Sequence, residues 1–263
     1  MMRLQLIGGG RMGEALLGGL LQGGWADLDE IAVVEQSEAR RAELERQFVG
    51  LLVTSEPLQE VDAVLAVKPN DATMAARELQ AAGVSRVLSI VAGVTTAALE
   101  AEMVSGVKVI RAMPNTPALV GAGAAAIAAG RYTTSHDLAW ASEVLQAVGT
   151  VEVCDESLLD AVTGLSGSGP AYVFWLAEAL IAAGQQVGLT VEMADALTRQ
   201  TLLGAARLLT ESSQSPAQLR AAVTSPQGTT AKGIETLEAY NVAAAVVAAV
   251  RAAAERSREL GTA

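Results

Sequence analysis

For roughly its first 150 residues the chain alternates two hydrophobic periods. Short aliphatic and β-branched runs at 3–7, 31–34, 61–67, 86–91 and 107–112 predict strands. Between them, 12–21, 38–48, 72–82 and 96–104 read as helices, with apolar positions at helical spacing. Strand and helix in alternation predict a parallel sheet covered on both faces. A β-prone stretch at 122–129, a helix at 135–148 and a strand at 151–154 complete this half. Beyond about residue 160 strands disappear. The segment 171–187 is apolar almost all round, with Glu178 its single charge. Such a helix must be covered by its own domain or by another subunit. Thr190 reads as the N-cap of a helix over 191–209, with Met193, Leu197, Thr201, Gly204 and Leu208 on one face. Ser215-Pro216-Ala217-Gln218 joins a capping-box pattern to a proline at the first helical position, and a last helix covers 242–260. The chain thus divides into an α/β domain, 1–155, and an all-helical domain, 156–263, too apolar to stand alone and expected to form a dimer interface.

Composition narrows the chemistry. With 51% apolar residues, 263 residues can bury a sizeable core without disulfides or metal. The formal charge of −11 speaks against a phosphate-backbone partner, so nucleic-acid binding is not expected. One cysteine, Cys154, and one histidine, His136, cannot form a disulfide or a multi-cysteine or multi-histidine metal site. They read as packing and surface residues, since no flanking signature supports a nucleophilic pair. The amino terminus runs into glycines without the apolar stretch of a signal peptide. The longest uncharged run, 112–130, is broken by prolines and glycines, so no membrane span is expected and the chain reads as cytoplasmic.

Leu4-Gln5-Leu6-Ile7-Gly8-Gly9-Gly10-Arg11-Met12-Gly13 is a strand running into G-x-G-x-x-G and then a helix. Gly8 permits the tight turn, Gly10 lets a pyrophosphate approach the backbone, and Gly13 lets helix pack on strand. In this context the motif points to a Rossmann-type dinucleotide site on the α/β domain. Glu35 lies about 20 residues beyond it, where an acidic residue would hold the ribose hydroxyls of NAD and repel the 2′-phosphate of NADP. Arg40 and Arg41 follow and could pair with that phosphate, or lie solvated on a helix, so cofactor choice stays open.

Three further segments each admit two readings. Ala66-Val67-Lys68-Pro69 ends a buried strand where ligands lie in open α/β sheets; Lys68 touches a cofactor or anion, or solvates a strand end. Arg111-Ala112-Met113-Pro114-Asn115-Thr116-Pro117 enters a proline-bracketed loop, with Asn115 suited to a nicotinamide contact or to a structural turn. Ser225-Pro226-Gln227-Gly228-Thr229-Thr230 precedes a helix; its free amides suit a carboxylate, or its hydroxyls cap the helix. The small residues of Gly164–Tyr172 favour close packing beside an active site over a phosphate cradle, since no P-loop lysine follows.

Taken in order, the motifs Gly8–Gly13, 66–69, Ala92-Gly93-Val94, 111–117, 160–172 and 222–232 resemble the pyrroline-5-carboxylate reductase family over nearly the full length. The resemblance implies NAD(P)H-dependent reduction of 1-pyrroline-5-carboxylate to L-proline. Leu6, Gly8, Gly10, Arg11, Met12 and Gly13 would bind the pyrophosphate half of the cofactor, with Ser55 near the adenosine. Ala66, Val67, Lys68 and Ala92 would line the nicotinamide side, and Glu156 would lie near substrate. Ser225, Gly228, Thr229 and Thr230 would hold the substrate carboxylate, with Thr230 beside the ring nitrogen as the catalytic residue. The family usually prefers NADPH, from which Glu35 departs, and it assembles through its helical domains, commonly as pentamers of dimers. Two other readings are a β-hydroxyacid-dehydrogenase-type reductase and a non-catalytic redox sensor. The first typically uses a lysine on a long interdomain helix, and 171–187 has none. The second needs no loop like 225–230.

Overall fold

Eight strands form one sheet: β1 (Leu4–Ile7), β2 (Ile31–Val34), β3 (Leu52–Thr54), β4 (Ala63–Leu65), β5 (Arg86–Ser89), β6 (Lys108–Met113), β7 (Gly123–Ala129) and β8 (Gly149–Val153). Their order is β3-β2-β1-β4-β5-β6-β7-β8. The first six follow the doubly wound order, which reverses between β1 and β4 and opens a crevice there. These six pair in parallel, as the alternation of strand and helix predicts, whereas β7 runs antiparallel to β6, with Ile110 opposite Ala129. The reason is the connection, a single turn of 3₁₀ helix over Thr116–Val120, too short for the crossover that a parallel neighbour requires. Strand β3 was not anticipated; three residues at a sheet edge carry too little alternation to be recognised.

Helices α1 (Arg11–Gln22), α2 (Glu38–Gln47), α3 (Ala72–Ala81), α4 (Thr96–Glu100) and α5 (Ser135–Gln146) cover the sheet. Helix α4 stops four residues before its expected end, and Gly106 turns the chain at φ +101° into β6. Because side chains alternate along a strand, the sheet supports two cores. Leu4 and Leu6 of β1 pack with Leu16, Leu17 and Leu20 of α1, Leu44 of α2 and Val144 of α5. Ile7 packs on the other face with Ala75, Ala76 and Leu79 of α3 and Leu99 of α4.

The computed structural model describes residues 1–262, in two compact units: Met1–Ser168 with the chain from Arg251 onward, and Gly169–Val250. This differs from a division at 155/156. After β8 the chain stays on the sheet unit through α6 (Leu159–Val162), where Leu159 is fully buried with Ala126 and Ala128 of β7. A widened π-helical turn over Thr163–Gly167 follows, closed by Ser168 N donating to Thr163 O at 2.8 Å.

The second unit contains α7 (Gly169–Gln186), α8 (Val191–Glu211), α9 (Pro216–Ala222), α10 (Thr229–Ala239) and the first part of α11 (Val242–Thr262). Thr190 caps α8, accepting from Met193 N at 3.3 Å, and the Ser215–Gln218 capping box starts α9 as expected. Of the two covers open to 171–187, its own domain does not supply one. None of α7 is buried, and Phe174 and Trp175 stay 62% and 68% exposed. The apolar face of α8 is open as well, with Met193, Leu197 and Leu208 at least half exposed. No single described helix is long and apolar enough to cross a membrane.

One buried polar residue ties β1 to the chain entering β4. Gln5 is fully buried; its Nε2 donates to Leu58 O at 3.0 Å and Val61 O at 2.8 Å, and its Oε1 accepts from Leu58 N at 2.8 Å. Gln5→Leu keeps the volume and strands three backbone groups. It is expected to cost about 2–4 kcal/mol, measured as a lowered denaturant midpoint.

Candidate active site

The turn from β1 into α1 is built by exclusion of side chains. Gly8 sits at φ +106°, and a Cβ there would lie 2.6 Å from the carbonyl oxygen of Ala66. A Cβ on Gly13 would strike the carbonyl oxygen of Gly8. So the loop touches the end of β4 and the helix touches the loop, each through bare backbone. Gly10 differs: nothing lies within 4 Å of where its Cβ would be. The protein does not need glycine there for its own packing, which leaves room for a ligand against the start of α1, whose N-terminus no side chain caps.

Ile7, Gly8, Gly10, Val34, Glu35, Ala66, Val67 and Lys68 line one cleft of about 430 Å³ at the strand-order reversal. The structure thus brings together six of the expected cofactor residues: Gly8, Gly10, Glu35, Ala66, Val67 and Lys68. The cleft also takes Gln36, Asp71, Met74, Ala75 and Glu78, which sequence reading missed. Most of these belong to α3 or its entry, and a helix's pattern does not say which strand end its exposed face overlooks. Ser55 lines an adjoining depression that shares Gln36 and Glu78 with the cleft. These residues fit a dinucleotide: a bare backbone cradle for the pyrophosphate, a carboxylate at the end of β2 for the ribose and an open end at Lys68.

Other expected residues have different surroundings. Leu6 is wholly buried in β1, so a direct cofactor contact is corrected to support of the loop from beneath. Met12 packs partly into the same core, while Arg11 is exposed at the start of α1. Ala92 is exposed after β5 and is not among the residues lining the cleft. Asn115 spends its side chain on structure: Nδ2 donates to Ser166 O at 3.1 Å and Ser166 Oγ at 3.2 Å, and Oδ1 accepts from Ala124 N at 2.9 Å. It thereby pins the π-helical turn to β7, and Gly167 packs so closely on Met113 that a Cβ would lie 2.7 Å from Cε. Close packing is what Gly167 of that segment serves.

Glu156 is held from two sides. Its carboxylate accepts from Thr96 N at 2.7 Å, from Thr96 Oγ1 at 2.6 Å and from Arg111 Nη1 at 3.2 Å. Arg111 is buried and Glu156 only partly so, and the pair links the start of α4, strand β6 and the segment after β8. Burial, with Asp155 adding to it, pushes the Cys154 thiol up, which disfavours a thiolate nucleophile.

In the helical unit, Gln227 adopts a left-handed conformation at φ +60° and Gly228 becomes the N-cap of α10. A Cβ on Gly228 would collide with Ser225 Oγ and lie 3.0 Å from the Ser225 carbonyl oxygen, so the turn folds tightly back on Ser225. Gly228 N donates to Ser225 O at 3.0 Å, and no side chain caps the helix. Thr229 and Thr230 are therefore not capping residues, and helix geometry leaves the first amides of α10 without an intrahelical acceptor.

Known proteins repeat this arrangement. Residues 156–260 match the family model described as "Pyrroline-5-carboxylate reductase dimerisation", and residues 3–93 match "NADP oxidoreductase coenzyme F420-dependent". Pyrroline-5-carboxylate reductase of Mycobacterium tuberculosis is 43% identical over 99% of this chain and 97% of its own length. That of Synechocystis is 43% identical over 98% of each. A structure of the Coxiella burnetii enzyme superposes with a TM-score of 0.93 at 37% identity, covering 98% of both chains. That of Plasmodium falciparum pyrroline carboxylate reductase with NADP bound gives 0.85 at 30% identity, covering 99% of this chain and 98% of that one.

The glycines separate fold from binding. Gly10→Ala is expected to leave the melting temperature within about 1 °C while nucleotide affinity drops by about tenfold or more. Gly13→Ala is expected to lower both, checked by thermal unfolding and titration with dinucleotide.

Proposed function

The chain belongs to the pyrroline-5-carboxylate reductase family, NAD(P)H-dependent oxidoreductases that reduce 1-pyrroline-5-carboxylate to L-proline, the last step of proline biosynthesis, and we propose how its residues divide that reaction. The observation that carries the division is the pair of bare backbone surfaces, one at the start of α1 and one at the start of α10. The first suits a pyrophosphate and the second a substrate carboxylate. Gly8, Gly10 and Gly13 with Arg11 and Met12 form the cofactor loop; Ala66, Val67, Lys68 and Ala92 take the nicotinamide side, Asn115 holds the neighbouring loop, and Ser55 takes the adenosine side. Resemblance weighs for NADPH, Glu35 for NADH.

When bound at the glycine loop, a reduced nicotinamide cofactor would supply the hydride that reduces the substrate's C=N bond. The protein's part is alignment, which converts a two-molecule encounter into a step between fixed neighbours. Ser225, Gly228, Thr229 and Thr230 fix the ring by its carboxylate, and the Thr230 hydroxyl hydrogen-bonds the ring nitrogen. A protonated imine is already electrophilic, so no strong general acid is required. Glu156, with Arg111 and Thr96, orders the wall beside the substrate. Initial rates of NADPH and NADH oxidation with 1-pyrroline-5-carboxylate, following proline, test the reading. Absence of proline from folded, nucleotide-binding protein would overturn it. Thr230→Ala is expected to lower kcat by about tenfold or more while the cofactor Kd moves less than about twofold.

The helical unit acts as the interface of a homodimer, and five such dimers form a decamer in the cytoplasm. Its support is the exposed apolar side chains of α7 and α8, among them Phe174, Trp175, Met193 and Leu208, a surface of the kind that marks an interaction site. Phe174→Glu combined with Trp175→Glu is expected to lower the sedimenting mass, and an unchanged mass would remove α7 from the interface.

A further inference from the structure

Glu35 follows strand β2 directly at the rim of the dinucleotide cleft, and its carboxylate is fixed at both oxygens. Oε2 accepts from Gly9 N at 2.9 Å and Oε1 from Ser37 N at 2.8 Å. A carboxylate oxygen has more than one lone pair, so each can still accept from a ribose hydroxyl. Held in this way, Glu35 cannot swing aside for a phosphate without giving up two hydrogen bonds from backbone N–H groups.

The cations nearby are turned to other partners. Arg40 donates through Nε to Gly9 O at 2.7 Å, through Nη1 to Glu43 at 2.9 Å, and through Nη2 to Glu14. Arg41 sets Nη1 on the carbonyl oxygens of Glu35 and Gln36, each at 2.8 Å. The described residues lining the cleft contribute three carboxylates, Glu35, Asp71 and Glu78, and one ammonium, Lys68. Lys68 follows β4, with β1 standing between that strand and β2. A 2′-phosphate would bring its charge to the acidic side of the site.

We propose that Glu35 makes this enzyme an NADH-preferring reductase, accepting the adenosine ribose hydroxyls and repelling a 2′-phosphate. The assignment rests on the dinucleotide reading of the cleft, and departs from the NADPH usage that the family resemblance implies.

Equilibrium titration without substrate tests it, using NADH against NADPH and ADP-ribose against its 2′-phosphorylated form. NADH and ADP-ribose are expected to bind about tenfold tighter or more than their 2′-phosphorylated counterparts. The gap should narrow as ionic strength rises, because screening weakens the repulsion. Glu35→Gln, which keeps the side-chain shape and one acceptor oxygen, is expected to close most of the gap. Equal or tighter binding of NADPH would overturn the preference and leave the dinucleotide site standing. A gap that neither salt nor Glu35→Gln alters would overturn the electrostatic role of Glu35. Failure of every dinucleotide to bind folded protein would overturn the cleft's reading and this assignment together.

Discussion

The passage of the glycine loop between β4 and α1 constrains everything around it. Gly8 lies against the Ala66 carbonyl and Gly13 against the Gly8 carbonyl, so three stretches of chain meet with no side chain between them. That approach places the start of α1 at the strand-order reversal, where its free amides face open space. It also sets the line of β1, whose neighbours β2 and β4 carry Glu35 and Lys68 to the two sides of one cleft. A single methyl group at either glycine would push helix from sheet, and the cleft would lose its floor.

Around this contact the protein uses buried and half-buried polar residues as positioning pins. Gln5 fixes the chain entering β4. Asn115 holds the π-helical turn against β7, and Glu156 joins α4 to β6 through Thr96 and Arg111. Ser257 of α11 donates to Asp160 at 2.6 Å, and Gly261 lies so near Gly93 that a Cβ would sit 3.0 Å from its carbonyl oxygen. The end of the chain thus secures the loop after β5 and the segment after β8. Each pin satisfies groups that would be costly to bury unpaired, which is why polar side chains recur where irregular segments must be held in one conformation.

The helical unit follows a different logic. Within Gly169–Val250, Ala194 and Thr198 are buried while aromatic and aliphatic side chains of α7 and α8 face outward. Helix formation there is secured locally, by Thr190 and the Ser215–Gln218 box, but burial is not. The sequence of this unit falls within the match to a family model described as dimerisation, and its outward apolar side chains are surface that association would bury.

Local signals in the sequence were enough for the alternation of strand and helix, the glycine loop, the caps of α8 and α9 and the change to helices after β8. Each depends on residues within a few positions of one another, where periodicity, φ preference and capping chemistry act. The resemblance carried the reaction, because its motifs run in order along nearly the whole chain. Tertiary structure alone decided the antiparallel β7, the edge strand β3, the face that α3 turns to the cleft and the burial of Leu6. It also decided that Asn115 and Glu156 bind protein groups, and that Arg40 and Arg41 face Gly9, Glu14, Glu43 and the end of β2. These outcomes depend on partners far away in sequence, and a side chain's own identity states what it can bond but not which distant group will arrive to bond it.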